Sequence, residues 1–206
     1  MTASKPYCLR RLLNRPRAYL LLMRLIGADV AMHRFVVQML RPQPGERVLD
    51  AGCGPGRLLR FLPAVSYLGI DGNDGYLAWA RALNPGGRFE RLDLTGDWSG
   101  FPDRDFDLIV ACGLLHHLSD AGAARLLAFC RERLRQGGRL VTLDCVRRRG
   151  QHPIARLLIA LDRGRFVRDT PGYTALARRE FAHVETNGYD DLLRLPYSHL
   201  VMECRQ

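Results

Sequence analysis

Apolar and polar positions change their rhythm twice along these 206 residues. In residues 8–40 the apolar side chains recur at helical spacing: Leu9, Leu12 and Leu13, then Leu20, Met23 and Ile26, then Phe35, Val36, Met39 and Leu40. That stripe predicts two helices, interrupted at Pro16 and Gly27. The turn-rich RPQPGE that follows stops them before Arg47. Beyond it short apolar runs alternate with amphipathic stretches. RVLDA, VSYLGID, GRFERLDL, FDLIVACGLL and GRLVTLDCV read as five strands. The fourth is almost wholly apolar, as a strand buried on both faces is. A helix beginning near Pro55, the stretch DGYLAWARAL, and DAGAARLLAFCRERLRQ supply the crossovers. Ser119 caps the last of these, and Gly137–Gly138 ends it.

Strands alternating with helices build a parallel sheet covered on both sides. After residue 146 the rhythm changes again. Residues 147–170 predict an inserted helical segment beside the site, and TPGYTALARREF a further helix. AHVETNGYD and LPYSHLVMECR read as two last strands, antiparallel to each other. The expected organisation is an N-terminal helical lid, residues 1–41, and one α/β domain, residues 42–206. Its fold class is a mainly parallel seven-stranded sheet with an antiparallel last strand and helices on both faces.

Charge adds a question about partners. The net charge is +10, and Lys5 is the sole lysine, so the basic character is arginine. Residues 1–41 hold eight basic side chains against one acid, Asp29. Such a segment suits anionic lipid, a phosphorylated substrate or nucleic acid, and a peripheral membrane contact through the basic N-terminal helices is one expectation. The six cysteines are scattered, with no CxxC pair. That argues against a disulfide framework or a metal site and for reduced thiols in a cytoplasmic protein. No signal peptide is visible, and the apolar piece AYLLLMRLIGADVAM is broken by Arg24 and Asp29, which argues against a membrane span.

The candidate chemistry starts at Gly52-Cys53-Gly54-Pro55-Gly56. A strand, a glycine turn and a helix start form a known device for bringing a ligand close to backbone. The spacing is GxGxG, not the GxGxxG of a dinucleotide site, and no Gly-Lys-Ser/Thr follows to make a P-loop. VLDAGCGPG resembles the first motif of class I S-adenosylmethionine-dependent methyltransferases. Asp71 in YLGID, Asp93 in RLDL, FDLIVACGLLHHL and LRQGGRLVTLD then resemble that family's later landmarks, in order, over about residues 46–146.

The resemblance implies a Rossmann-like fold, S-adenosyl-L-methionine as cofactor and S-adenosyl-L-homocysteine as product. It places the methionine portion against Gly52, Cys53, Gly54 and Gly56, with Asp50 helping to hold the ammonium. It places Asp71 on the ribose hydroxyls and Asp93 on the adenine amine, with Gly72, Leu94 and Cys112 also around the cofactor. Gly72 stands where the family habitually has a bulky apolar residue, so one adenine wall falls to Leu94 or Trp98. The C-terminal third is similar to a bacterial subgroup found with polysaccharide or secondary-metabolite genes.

A hydroxyl acceptor needs a base in such a site, and a histidine with its near-neutral pKa suits that work. His116 and His117 follow the fourth strand and are the catalytic candidates, although LHHL also recurs in this fold as a structural element. Tyr19, His33 and His152 are lesser candidates, and Asp162, Arg163 and Arg168 could grip an anionic substrate. Three function classes follow: methyl transfer to a small molecule or glycan-type acceptor, methyl transfer to RNA, and a non-methylating use such as cyclisation. The basic stretch has few interleaved aromatics, which argues against nucleic acid. Oligomeric state leaves no mark on the sequence.

Overall fold

The structure is a computed structural model and describes residues 24–93, 96, 98, 100–161 and 164–206. Its centre is β1 (Arg47–Ala51), paired in parallel with β2 (Ser66–Asp71) on one side and β4 (Phe106–Cys112) on the other. β3 (Arg88–Arg91) extends the sheet beyond β2, and β5 (Leu134–Cys145) lies beside β4. The last two strands, β6 (His183–Tyr189) and β7 (His199–Arg205), complete the order β3-β2-β1-β4-β5-β7-β6. β7 runs antiparallel to both neighbours, so it alone is reversed in a parallel sheet. The expected fold class is the observed one.

The period of two along β1 sorts its side chains between two layers. Leu49 and Ala51 join the core under α3 (Asp120–Arg133) and α5 (Thr170–Ala177). Val48 faces the opposite layer, where α2 (Asp74–Leu83) contributes Leu77 and Ala80. Asp50 follows Val48 in that alternation and emerges at the carboxyl end of the strand, 2% exposed. Strand order reverses between β1 and β4, and ligands of open α/β sheets bind outside the strand ends at such a point.

Two local expectations change. The helix expected from Pro55 is only a four-residue 3-10 turn, Leu58–Phe61. Pro63 lies too close for more, because it lacks an N–H and disfavours helical backbone at the residue before it. The helix expected to reach Gln136 ends at Arg133, and β5 begins at Leu134. Leu134 is buried in the core and pairs with Phe106 of β4, so the chain is already in the sheet there. The segment after β5 contains α4 (Pro153–Leu161), with loops around it.

The described part of the N-terminal segment is α1 (Ala28–Arg34), which continues as a π-helical stretch, Phe35–Leu40. Phe35, Val36, Met39 and Leu40 are buried in the same layer as Val48, Val110, Val141 and Val201. Arg139 of β5 locks the far end. Its guanidinium donates to the Leu40 carbonyl at 2.9 Å and to Glu46 at 2.9 Å. A cation at helix C-terminal carbonyls satisfies acceptors that the helix itself leaves open. Among the described residues no helix is long and apolar enough to cross a membrane.

Candidate functional site

A cleft of about 690 Å³ opens at the carboxyl ends of β1, β2 and β4. Asp50, Gly52, Cys53 and Gly54 form its floor, Asp71, Gly72 and Asp93 one side, and Cys112 and His117 the other. Eight of the ten residues expected around a cofactor are therefore together. Gly56 does not line the cleft, and Leu94 lies outside the described residues, as do Tyr19, Asp162 and Arg163.

The three glycines have three different neighbours. All hold positive φ, 75°, 51° and 70° for Gly52, Gly54 and Gly56, which favours glycine. A Cβ on Gly52 would meet Leu114 at 3.1 Å, and one on Gly56 would meet Phe89 at 2.9 Å and Ala80 at 3.0 Å. Those two positions are closed by the protein's own packing. A Cβ on Gly54 would meet nothing within 4 Å, so this position faces the open space of the cleft.

Asp71 stitches the cradle together. One carboxylate oxygen accepts from the Gly54 amide at 2.9 Å, the other from the Asn73 amide at 2.8 Å. Each oxygen keeps lone-pair capacity for a further donor. Asn73 caps α2 by accepting from the Tyr76 amide, and this turn brings Tyr76 onto the cleft. Tyr76 thus adds an aromatic side chain to the cleft on the side of Gly72 and Asn73. Trp98 does not: its indole packs edge-on to Phe129 at 5.0 Å and donates to the Asp93 carbonyl.

Asp50 is the electrostatic centre of the floor. Burial pushes its carboxyl up to about 7, the Tyr67 hydroxyl donating at 2.8 Å pulls the other way, and the charge of Asp71 adds to the rise. A buried carboxylate so poised gains from a cation beside it. The thiol of Cys112 is pushed up to about 12 by burial, and that of Cys53 is also raised, so neither is an activated nucleophile. The residues fit the expected cofactor: an open glycine position, a buried carboxylate for an ammonium, and carboxylates on the ribose and adenine side.

The two histidines separate. His116 is buried and binds Asp144 of β5 through Nδ1 at 2.7 Å, while its amide donates to the same oxygen at 3.1 Å. Burial lowers its affinity for a proton, but the Asp144 hydrogen bond outweighs that and the imidazole rises to about 10. His117 is exposed on the cleft wall, its ring 4.1 Å from that of His116. His33 is exposed on α1, and His152 lines a separate cleft with Tyr197 and Arg148. Arg168 is engaged by Asp120 and the Leu118 carbonyl.

Sequence reasoning missed Met32, Arg57, Tyr76, Leu114 and Leu118, which all line the cleft. Arg57 pairs with Asp29 of α1 at 2.6 Å and so ties the N-terminal helix to the glycine turn. A signal existed for Tyr76, an aromatic residue in the first turn of the helix that follows Asp71.

Residues 48–138 match the model of a methyltransferase domain. Aklanonic acid methyltransferase DauC of Streptomyces sp. strain C5 is 36% identical over 132 residues, 59% of this chain and 58% of that protein. A tRNA (carboxymethyluridine(34)-5-O)-methyltransferase of Saccharomyces cerevisiae is 31% identical over 107 residues, 50% of this chain and 37% of that one. The chain thus spans less than two thirds of these relatives' length. The crystal structure of an S-adenosylmethionine-dependent methyltransferase from Mesorhizobium loti superposes with a TM-score of 0.64 at 25% identity, covering 84% of this chain and 98% of that one. With a parallel sheet in which only β7 is reversed and a methyltransferase-domain match over residues 48–138, the chain is similar to the class I S-adenosylmethionine-dependent methyltransferases, whose cofactor is S-adenosylmethionine.

Proposed function

We propose that the chain methylates a small-molecule or glycan-type acceptor in this cleft. The observation that carries the reading is the charge of the lining. Asp50, Asp71 and Asp93 line it, and among the described residues its one arginine, Arg57, is already paired with Asp29. An RNA groove needs free cations along a phosphate track. This lining repels one. Met32, Leu114 and Leu118 add apolar walls suited to a carbon framework. The name of the DauC relative, an aklanonic acid methyltransferase, supports a small organic acceptor.

When bound, the cofactor supplies a methyl group activated on a sulfonium. The chain holds and orients. Asp71 takes the ribose hydroxyls, Asp93 the adenine amine and Asp50 the ammonium, while the bare backbone at Gly54 leaves room for the methionine portion. Leu114 and Leu118 exclude water, and His117 takes the proton of an acceptor hydroxyl. His116, fixed by Asp144, supports the His117 ring from behind.

Release of S-adenosylhomocysteine across a panel of phenols, hydroxylated polyketides, sugars and total RNA tests the proposal. Turnover with a small hydroxylated acceptor and none with RNA is expected; turnover with RNA alone overturns it. Binding without release on any acceptor would return the non-methylating reading. With an accepted hydroxyl, His117→Asn should lower kcat about 100-fold or more while leaving S-adenosylhomocysteine affinity within about twofold. An unchanged kcat and pH profile would remove His117 as the base.

Asp50 gives the cofactor site a pH dependence. An ammonium prefers the ionised carboxylate, and in the free protein that form fills only as pH rises through about 7. Affinity for S-adenosylhomocysteine should therefore fall by roughly tenfold from pH 8 to pH 6, approaching one log unit per pH unit at the acid end. Asp50→Asn should bind more weakly and lose the slope. Calorimetric titration across that range checks it, and a flat wild-type profile would take Asp50 away from the ammonium.

A further inference from the structure

The segment after β5 leaves an apolar helix face uncovered. In α4, Ala155 and Ile159 turn inward and are buried, while Ile154, Leu157 and Leu161 are 48%, 59% and 62% exposed. Spacings of three and seven residues put these three on one stripe of the helix. Phe166, 40% exposed, follows shortly in the chain.

Arginine crowds another side of the same helix. Arg147, Arg148, Arg149 and Arg156 line a second cleft of about 450 Å³ against Ile159 and Ala160. Arg148 pairs with Asp190 at 3.0 Å, whereas Arg147, Arg149, Arg156 and Arg165 have no carboxylate partner among the described residues. Between residues 145 and 168 the sequence has seven arginines and one acid, Asp162. Unpaired guanidinium groups and exposed aliphatic side chains on one short segment ask for an occupant that is anionic and apolar at once.

Two occupants made of this same chain fit poorly. Residues 1–41 carry eight basic groups and one acid, and a second copy brings its own net charge of +10. Both would set cations against cations. A polyanion such as RNA would satisfy the arginines but leave three aliphatic side chains in water, without the aromatic platforms on which bases stack.

We propose that this face docks on an anionic lipid bilayer, with the aliphatic stripe of α4 in the acyl boundary and the arginines at the lipid phosphates. The surface is distinct from the cofactor cleft but close to its wall. The Phe166 amide donates to the His116 carbonyl at 3.0 Å, and Gly164 packs so tightly on His116 that an added Cβ would lie 2.3 Å from the ring. A docked α4 therefore brings the histidine wall near the bilayer surface.

Sedimentation of the full chain with vesicles tests this without any turnover, so its outcome is independent of the acceptor reading. Vesicles of equal parts phosphatidylcholine and phosphatidylglycerol should pull the protein down at low salt, and pure phosphatidylcholine should not. High salt should release most of it, because exposed charges separated by more than the screening length cease to interact. Replacing Ile154, Leu157 and Leu161 together by serine should weaken partitioning at least about tenfold, since each buried methylene contributes separately. Arg147→Gln, Arg149→Gln and Arg156→Gln combined should weaken it by a similar factor or more, about fivefold per arginine, and flatten the salt dependence. Circular dichroism and S-adenosylhomocysteine affinity should be unchanged in both variants. Absence of binding to anionic vesicles would overturn the proposal. So would vesicle binding that the serine variant retains, which would mark a purely electrostatic polyanion surface, or a dimer in solution that the serine variant abolishes.

Discussion

Asp71→Ala will weaken S-adenosylhomocysteine binding by about 2–4 kcal/mol, roughly 30- to 1000-fold. Two losses add to give that range. The carboxylate is the proposed partner of the ribose hydroxyls, and hydrogen bonds to an ionised group are roughly twice as strong as neutral ones. It also accepts from the Gly54 and Asn73 amides, so its removal frees the backbone that shapes the methionine side of the cleft. A cofactor analogue lacking the ribose 2′-hydroxyl separates the two. If Asp71 binds the ribose, the alanine variant should lose less affinity for the analogue than for the parent compound. Equal losses would leave Asp71 as a cradle residue only, and unchanged affinity for both would remove it from the site.

The two backbone bonds of Asp71 mark where the sequence stops informing. An acid at the end of β2 was legible because the apolar run before it has the strand period, and the run ends where a ligand site of this fold begins. Its two backbone partners were not, because they depend on how the turn at Gly54 folds back. The glycines show the same limit. GxGxG announces a close approach but does not say by what, and only the coordinates show that Phe89 crowds Gly56, Leu114 crowds Gly52 and nothing crowds Gly54. His116 and His117 are equivalent in the sequence. Asp144, contributed by the neighbouring strand, makes one a buried ion pair and leaves the other on the cleft.

The sheet itself was readable almost throughout, since each strand pairs a buried period with a turn signal. The helix lengths were not. A proline at the start of a helix and a proline eight residues later look alike in composition, yet Pro63 reduces the first crossover to a single 3-10 turn. The third helix, α3, likewise stops three residues early, at Arg133, because Leu134 is already paired with Phe106 of β4, a long-range pairing that no local pattern encodes.

The N-terminal segment carries the second large effect. Deleting residues 1–40 should leave a chain that does not fold cooperatively. A detachable lid would give the opposite result, and the amphipathic pattern of residues 28–40 is the same for both, because an apolar stripe looks alike whether it covers a ligand or a sheet. The contacts distinguish them. Phe35, Val36, Met39 and Leu40 are each at most 5% exposed, packed in the layer that holds Val48, Val110 and Val141. Fully burying such a side chain contributes about 1.5–3 kcal/mol relative to leaving it exposed. Removing four together therefore competes with the whole stability of an ordinary domain, about 5–15 kcal/mol. The deletion would also leave the largely buried Arg139 without the Leu40 carbonyl it caps. Phe35→Ala offers a milder version, expected to cost about 3–5 kcal/mol. Denaturant unfolding followed by fluorescence measures both. Cooperative unfolding of residues 41–206 at the midpoint of the full chain, together with a loss near zero for Phe35→Ala, would restore residues 1–41 as a separate lid.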